Sequence, residues 1–150
     1  MPNEPMLESM LLHLVRPEDL NHHGTLFAGQ MAKWLVEAGV ITASRLCGKA
    51  KDVVCVQING MTFKKPINNG DIIEIKSRIA HLGSTSITVL SQVFRKQDAV
   101  PLVSNMATFV TVDKENRPYK HGFKLSEEYI AKNHDIYQEA LKIRPQNNTK

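Results

Sequence analysis

Apolar and polar positions change their period along this chain, and each period predicts an element. Residues 11–15, Leu-Leu-His-Leu-Val, form a short apolar run that predicts a strand. It stops at Arg16-Pro17, because the residue before a proline is pushed out of the helical region and proline has no N–H to donate. A polar turn, Glu18 to Gly24, follows. From Ala28 to about Leu46, Met31, Leu35, Ala38 and Thr42 recur at helical spacing, and Trp34, Val36, Val40, Ile41 and Ala43 spread the apolar surface around most of the circumference. This predicts a helix buried on most sides. Gly48 suits its C-terminal end, and about 19 residues at about 1.5 Å each make a rod of roughly 28 Å.

Beyond that helix the period becomes two. The alternating sets are Val54/Val56/Ile58, then Ile73/Ile75/Ile79 against Glu74/Lys76/Arg78, then Ile87/Val89/Val93, then Met106/Val110/Val112. Four strands are predicted, separated by turn-forming stretches at Pro66–Asp71, Leu82–Ser84, Gln97–Pro101 and Asp113–Asn116. Connections this short favour antiparallel neighbours. Strands of about eight to ten residues match the helix in length, so the simplest architecture is an α+β layer fold with an antiparallel sheet wrapped around one long helix. One sheet cannot hide both sides of such a helix, so self-association is expected. Ser126-Glu127-Glu128 reads as a cap for a terminal amphipathic helix carrying Tyr129, Ile130, His134, Tyr137 and Leu141, and Gln146–Lys150 reads as frayed. The expected organisation is one domain over residues 1–150, with a core at about 10–120 and a helical tail at about 124–145.

Composition narrows the function. At 150 residues and 42% apolar content the chain can build a core, and its 23% charged residues and mean hydropathy of -0.26 are those of a globular protein. The apolar runs are too short for a bilayer span, and Met1-Pro2-Asn3-Glu4-Pro5 lacks the basic and apolar segments of a secretory signal, so the chain reads as cytoplasmic. Cys47 and Cys55 have no disulfide or zinc-ligand spacing and read as two buried free thiols. Net charge is +4, but residues 1–20 carry -3 and the rest +7. Those bases are dispersed rather than run together, which suits a phosphate-bearing small ligand better than a nucleic acid, or simply solubilising charge at turns.

No GxSxG elbow, HExxH, P-loop or GxGxxG is present. The densest chemistry is Asn21-His22-His23-Gly24-Thr25-Leu26-Phe27-Ala28-Gly29-Gln30, where a polar loop meets the start of the buried helix. Free N–H groups and the positive end of the helix dipole there can hold an oxyanion or a phosphate; equally, Gly24 and Gly29 can serve only a tight turn and close packing. This segment, continued to Met31, resembles the loop-to-helix motif of hotdog-fold acyl-CoA thioesterases. Phe63–Asp71, Gly83–Ile87 and Ala107–Val110 resemble three further segments of that family, in the same order, so the likeness spans roughly residues 10–120.

The resemblance implies a dimer as the active unit, often assembled into hexamers, with active sites at the dimer interface. It implies an acyl-CoA substrate, with coenzyme A entering as part of the substrate and no separate cofactor or metal. A backbone N–H at the helix N-terminus, assigned to Gly29, would polarise the thioester carbonyl. Asn21 matches the family asparagine that positions water, aided by a carboxylate from the partner's central helix. The chain departs from the pattern at that carboxylate: the usual aspartate position falls on Val36, and the nearest acid is Glu37, about 100° further round the helix. Glu37 can alternatively pair with Lys33 at i,i+4. His22 or His23 can serve as base in its place, or simply be solvated. The resemblance also puts His23 and Gly24 against the substrate. Ser84 and Ser86 fall in a region near pantetheine and nucleotide, and Lys64, Lys65, Arg78, Arg95 and Lys96 are candidates for the CoA phosphates. Trp34 reads as core. The expected activity is hydrolysis of an acyl-CoA to free acid and CoA. The rivals are a non-catalytic acyl-CoA sensor or carrier on the same fold and, more distantly, a dehydratase, whose helix histidine is missing here.

Overall fold

The computed structural model describes residues 6–143. The readings made on Met1–Pro5 and on Gln146–Lys150 lie outside the described residues. Eight principal elements follow one another: β1 (Glu8–Leu14), α1 (Ala28–Cys47), β2 (Val53–Phe63), β3 (Ile72–Leu82), β4 (Ser86–Phe94), β5 (Val103–Thr111), α2 (Glu127–Lys132) and α3 (His134–Ile143). Helix α1 runs as its periodicity requires and ends on Gly48, whose N–H donates the last helical bond to the Ser44 carbonyl at 2.7 Å and whose left-handed φ of 75° turns the chain out of the helix.

The five strands form one antiparallel sheet in the order β1-β3-β4-β5-β2. The hairpins β3–β4 and β4–β5 join neighbours as expected, but β2 and β3 are not adjacent. The Pro66–Asp71 stretch is a crossing rather than a hairpin. Its Ile67 carbonyl accepts from the Leu26 N–H at 2.8 Å and Asn68 bridges to Thr25, so it docks on the loop before α1. Local turn chemistry fixes the bend but not which strand lies beside which.

One face of α1 packs on the sheet. Met31, Trp34, Leu35 and Ala38 meet Ile73, Ile75, Val93 and Val103 at one end, while Ala43 and Leu46 meet Ile79, Ile87, Val89, Ala107 and Phe109 at the other. A buried polar row separates the two clusters. Ser77 and Ser91 share a 2.7 Å hydrogen bond, and Asn105 donates to the carbonyls of Asn59 and Gly60, satisfying backbone groups that an irregularity in the β2 ladder leaves unpaired. Gly39 faces Phe109 so closely that a Cβ there would lie 2.8 Å from the ring.

Two strand faces differ from expectation. In β5, Val103, Ala107 and Phe109 face the helix, whereas Met106 lies on the opposite face with Leu90 and Ala80, because both faces of this strand are apolar and alternation alone cannot choose between them. In β2, Val54, Val56 and Ile58 are 37%, 53% and 57% exposed, on a free sheet edge. Ala32, Val36, Val40 and Ile41 are likewise only half-buried along α1. The terminal helix is two helices broken at Asn133; Ser126 caps the first through the Tyr129 N–H at 3.0 Å. The tail docks through Ala140 and Ile136 on Ala80 and Leu90, and Leu141 is exposed.

Candidate active site

Asn21 is held by its own loop. Its Oδ1 accepts from the N–H groups of His23 (2.8 Å) and Thr25 (3.1 Å), and its Nδ2 donates to Thr25 Oγ1 at 3.1 Å. Backbone bonds from Asn21 N–H to Thr25 C=O and from Gly24 N–H to Asn21 C=O close the turn, which Gly24 permits at φ 82°. One amide hydrogen of Asn21 is left over, so the side chain can offer a rigidly placed donor. Asp19 ties this loop to the helix. Its carbonyl accepts from the Phe27 N–H, and its carboxylate accepts from the Arg16 N–H at 2.9 Å and from Gln30 Nε2 at 2.7 Å. Those donors, the Arg16 N–H first, hold its pKa below the usual carboxylate value.

Helix α1 has no side-chain cap. The N–H groups of Ala28 and Gly29 have no acceptor among the described residues, and both residues are exposed. The exposed Phe27 ring folds over Gly29, so that a Cβ there would lie 2.4 Å from the ring edge unless the ring swung outward. Asn21, Thr25 and Ala28 line a cleft of about 330 Å³ with Phe63, Lys64 and Lys65. The structure therefore brings Asn21, an open helix N-terminus and two lysines together.

Glu37 does not share this cleft. It is exposed on the side of α1 away from the sheet, about 12 Å along the axis from Gly29, and no ion pair with Lys33 is among those formed by the described residues. Val36 is half-buried beside it. The rings of His22 and His23 lie 4.2 Å apart and are exposed. Trp34 is core, as expected, with His13 stacked flat on it at 4.4 Å. No three His, Cys, Asp or Glu side chains converge as metal ligands among the described residues.

The candidates for the CoA phosphates separate. Arg95 is committed elsewhere: Nε and Nη2 donate to Asp98, at 2.9 and 3.3 Å, and Nη1 lies 3.5 Å from Asp71, so it pins two turns instead of facing a ligand. Arg78 donates to Asn133 Oδ1 at 3.1 Å and lies by the β1 edge, away from Asn21. Lys96 is exposed. Ser84 lines a cavity of about 580 Å³ with Lys120, Lys124, Phe123 and Tyr137. Ser86 instead holds the wall of that cavity in place: its carbonyl accepts from His121 Nε2 at 3.0 Å, and His121 Nδ1 accepts from the Phe123 N–H. Asp19, Phe27, Lys120 and Lys124 were not legible as site residues; only the Asp-x-Asn spacing before the glycine hinted at Asp19.

This arrangement, a buried helix wrapped by a five-stranded sheet with an open helix N-terminus beside an asparagine loop, is that of a hotdog thioesterase. The chain belongs to the thioesterase superfamily, whose family model matches residues 23–102. It is 30% identical over 125 residues to the acyl-CoA thioester hydrolase YciA of Salmonella typhimurium, covering 79% of this chain and 92% of that protein. Among solved structures it is similar to the acyl-CoA hydrolase of Staphylococcus aureus in complex with butyryl-CoA and CoA (TM-score 0.74, 25% identity, 90% of this chain and 80% of that one). It is also similar to the hexameric thioesterase of Yersinia pestis (TM-score 0.64, 28% identity, 80% and 96%). No helix among the described residues is long and apolar enough to cross a membrane.

Proposed function

We propose that this protein hydrolyses acyl-CoA thioesters to the free acid and CoA. The observation that carries the reading is the open N-terminus of α1, whose Ala28 lines the cleft with Asn21, Lys64 and Lys65, while Gly29, which also has an unpaired N–H, follows it just outside the lining. The thioester carbonyl oxygen docks on those N–H groups, where the helix dipole favours the negative charge that develops on it. Asn21 contributes its free amide hydrogen to hold the attacking water or the carbonyl; with both lone-pair directions of its Oδ1 used by the loop, it is a donor and not a base. Water adds to the carbonyl carbon, the C–S bond breaks, and the sulfur leaves as CoA thiolate, which takes up a proton. CoA is part of the substrate, and the reaction uses no cofactor.

Glu37 is the proposed acceptor of the water's proton. It cannot act from its own protomer, so it reaches the cleft of a second copy, and the exposed Val54, Val56 and Ile58 on the free β2 edge are the surface through which two copies join. The interval between the asparagine and the aspartate replaced by alanine in structures of the S. aureus enzyme, carried from Asn21, ends on Val36. Glu37 is thus one residue displaced, on a longer side chain. The Yersinia relative is hexameric, and we infer a dimer as the active unit with further assembly to a hexamer. Cys55 is exposed and Cys47 half-buried, so the two thiols are not both buried as expected; two free cysteines suit a reducing compartment and a cytoplasmic enzyme.

The test is thiol release from an acyl-CoA panel by wild type, Asn21→Ala and Glu37→Gln. Loss of roughly a hundredfold in kcat for both variants is expected, within the range general-base and positioning contributions span. Unchanged turnover in both overturns the assignment. Tight acyl-CoA binding without turnover by wild type would make the chain a sensor on the same fold.

A further inference from the structure

Phe27 breaks two rules at one position. It is the N-cap of α1, a place where Ser, Thr, Asp or Asn ordinarily offers a side-chain oxygen to the N–H of the second or third helical residue. Phenylalanine offers none, and the N–H of Gly29, the second helical residue, stays without an acceptor among the described residues. The Phe27 side chain is also 54% exposed, whereas the adjoining Leu26 is 4% exposed and packed in the core. Its backbone is fixed from both sides: the N–H donates to the Asp19 carbonyl at 2.9 Å, and the carbonyl accepts from the N–H groups of Gln30 and Met31 at 3.0 and 3.1 Å. None of these bonds involves the ring, so the turn itself does not call for a phenylalanine.

The ring comes to rest over Gly29. A Cβ on Gly29 would lie 2.4, 3.0 and 3.1 Å from three ring carbons, so the bare glycine is what lets the ring lie this close to the open helix end. Ala28 lines the Asn21 cleft, but Phe27 is not part of that lining. The open N–H groups therefore have a cationic side, where Lys64 and Lys65 stand with Asn21, and an apolar side, formed by the ring. A thioester carbonyl seated on them sends one arm to each side. The arm that carries phosphates is favoured beside the lysines, and a hydrocarbon arm gains by covering the exposed ring.

We propose that the Phe27 ring is the acyl wall of this site. The hydrocarbon segment next to the thioester carbonyl packs on it, so Phe27 selects apolar acyl groups longer than acetyl, and selects them over acyl groups that end in a carboxylate. The proposal rests on the thioesterase reading and names the substrate class for that same site. It makes Phe27 a specificity determinant, and Gly29 the residue whose missing side chain gives the ring its place.

The experiment measures kcat/KM for butyryl-CoA, acetyl-CoA and succinyl-CoA with wild type, Phe27→Ala and Phe27→Leu. Each methylene taken out of water changes the ratio about fourfold, so the preference for butyryl over acetyl should fall about four- to fifteenfold in Phe27→Ala. The preference for butyryl over succinyl should fall with it, and Phe27→Leu, which keeps an apolar side chain, should retain most of both. Unchanged ratios, or an equal loss on all three substrates, overturn the proposal. Gly29→Ala should push the ring outward and lower the butyryl-over-acetyl ratio in the wild-type background, yet leave that ratio where it stands in Phe27→Ala. An equal effect in the two backgrounds overturns the contact. Equilibrium dialysis of butyryl-CoA against acetyl-CoA reads the same preference without turnover. Tighter butyryl-CoA binding that Phe27→Ala abolishes, with no hydrolysis of any thioester by wild type, would keep the acyl wall and refute the hydrolase reading alone.

Discussion

Asp19 joins the asparagine loop to the helix whose N-terminus is proposed to polarise the substrate, and its replacement tests how the fold positions the site. The side chain is 6% exposed and accepts two hydrogen bonds, from the Arg16 N–H and from Gln30 Nε2. Bonds to a charged acceptor contribute about 1.5–3 kcal/mol each, and some of that is recovered from water near the exposed Arg16, so Asp19→Ala should cost about 2–4 kcal/mol near pH 7. Asp19→Asn keeps a shape that can bond both partners if the Gln30 amide turns over, and should cost about 1 kcal/mol, the value of the lost charge. The pH dependence follows from the direction of the shift. A carboxylate held below its ordinary pKa stabilises the fold fully above the unfolded value of about 3.9, and that contribution disappears as pH falls through the folded pKa. The gap between wild type and Asp19→Asn should therefore be constant above about pH 5 and close in strongly acid solution. Urea midpoints at constant m measure it. In the folded Asp19→Ala enzyme kcat/KM should fall roughly tenfold or more, because a shift of about 1 Å in the helix N-terminus misplaces the carbonyl site. Equal damage from Asn and Ala near neutrality, or a gap that persists in acid, refutes the clamp.

Gly39→Ala should cost up to about 2 kcal/mol, because overpacking against the fully buried Phe109 at about 1–3 kcal/mol exceeds the gain of about 1 kcal/mol in helix propensity. Adding Phe109→Leu should cost less than the sum of the two in a double-mutant cycle, and strict additivity would contradict the contact. Asp98→Asn should destabilise near pH 7 and progressively less below about pH 4, since the hydrogen bonds from Arg95 depress the Asp98 pKa; thermal melts across pH measure this. In a Glu37→Gln background, Val36→Asp should restore turnover if the two positions serve one water; no rescue places the proton acceptor elsewhere. Ile58→Lys should halve the solution mass by light scattering and abolish turnover; an unchanged mass removes β2 from the interface.

The helix was legible almost to the residue because its period, its length and its terminal glycine all agree. Asn21 was legible because its loop carries a recognisable run of small and polar residues. The sheet order was not, since nothing within Pro66–Asp71 says that this turn docks on Leu26 and Thr25 instead of closing a hairpin. The inward face of β5 was misread because Met106 and Val110 are as apolar as Val103 and Phe109. The break at Asn133 hides inside a run that keeps helical spacing on both sides. Arg95 looked available until Asp71 and Asp98, brought in from two turns, enclosed it. Lys120 and Lys124 face one cavity only once the segment after β5 folds back on the β3–β4 hairpin.

The central claim is that the cleft between Asn21 and the start of α1 hydrolyses acyl-CoA with water, and its most direct test is turnover of an acyl-CoA panel by the purified wild type in heavy-oxygen water. The account predicts one free thiol and one carboxylic acid per turnover, with one heavy oxygen in the acid. Bound acyl-CoA with neither thiol nor labelled acid released would contradict it.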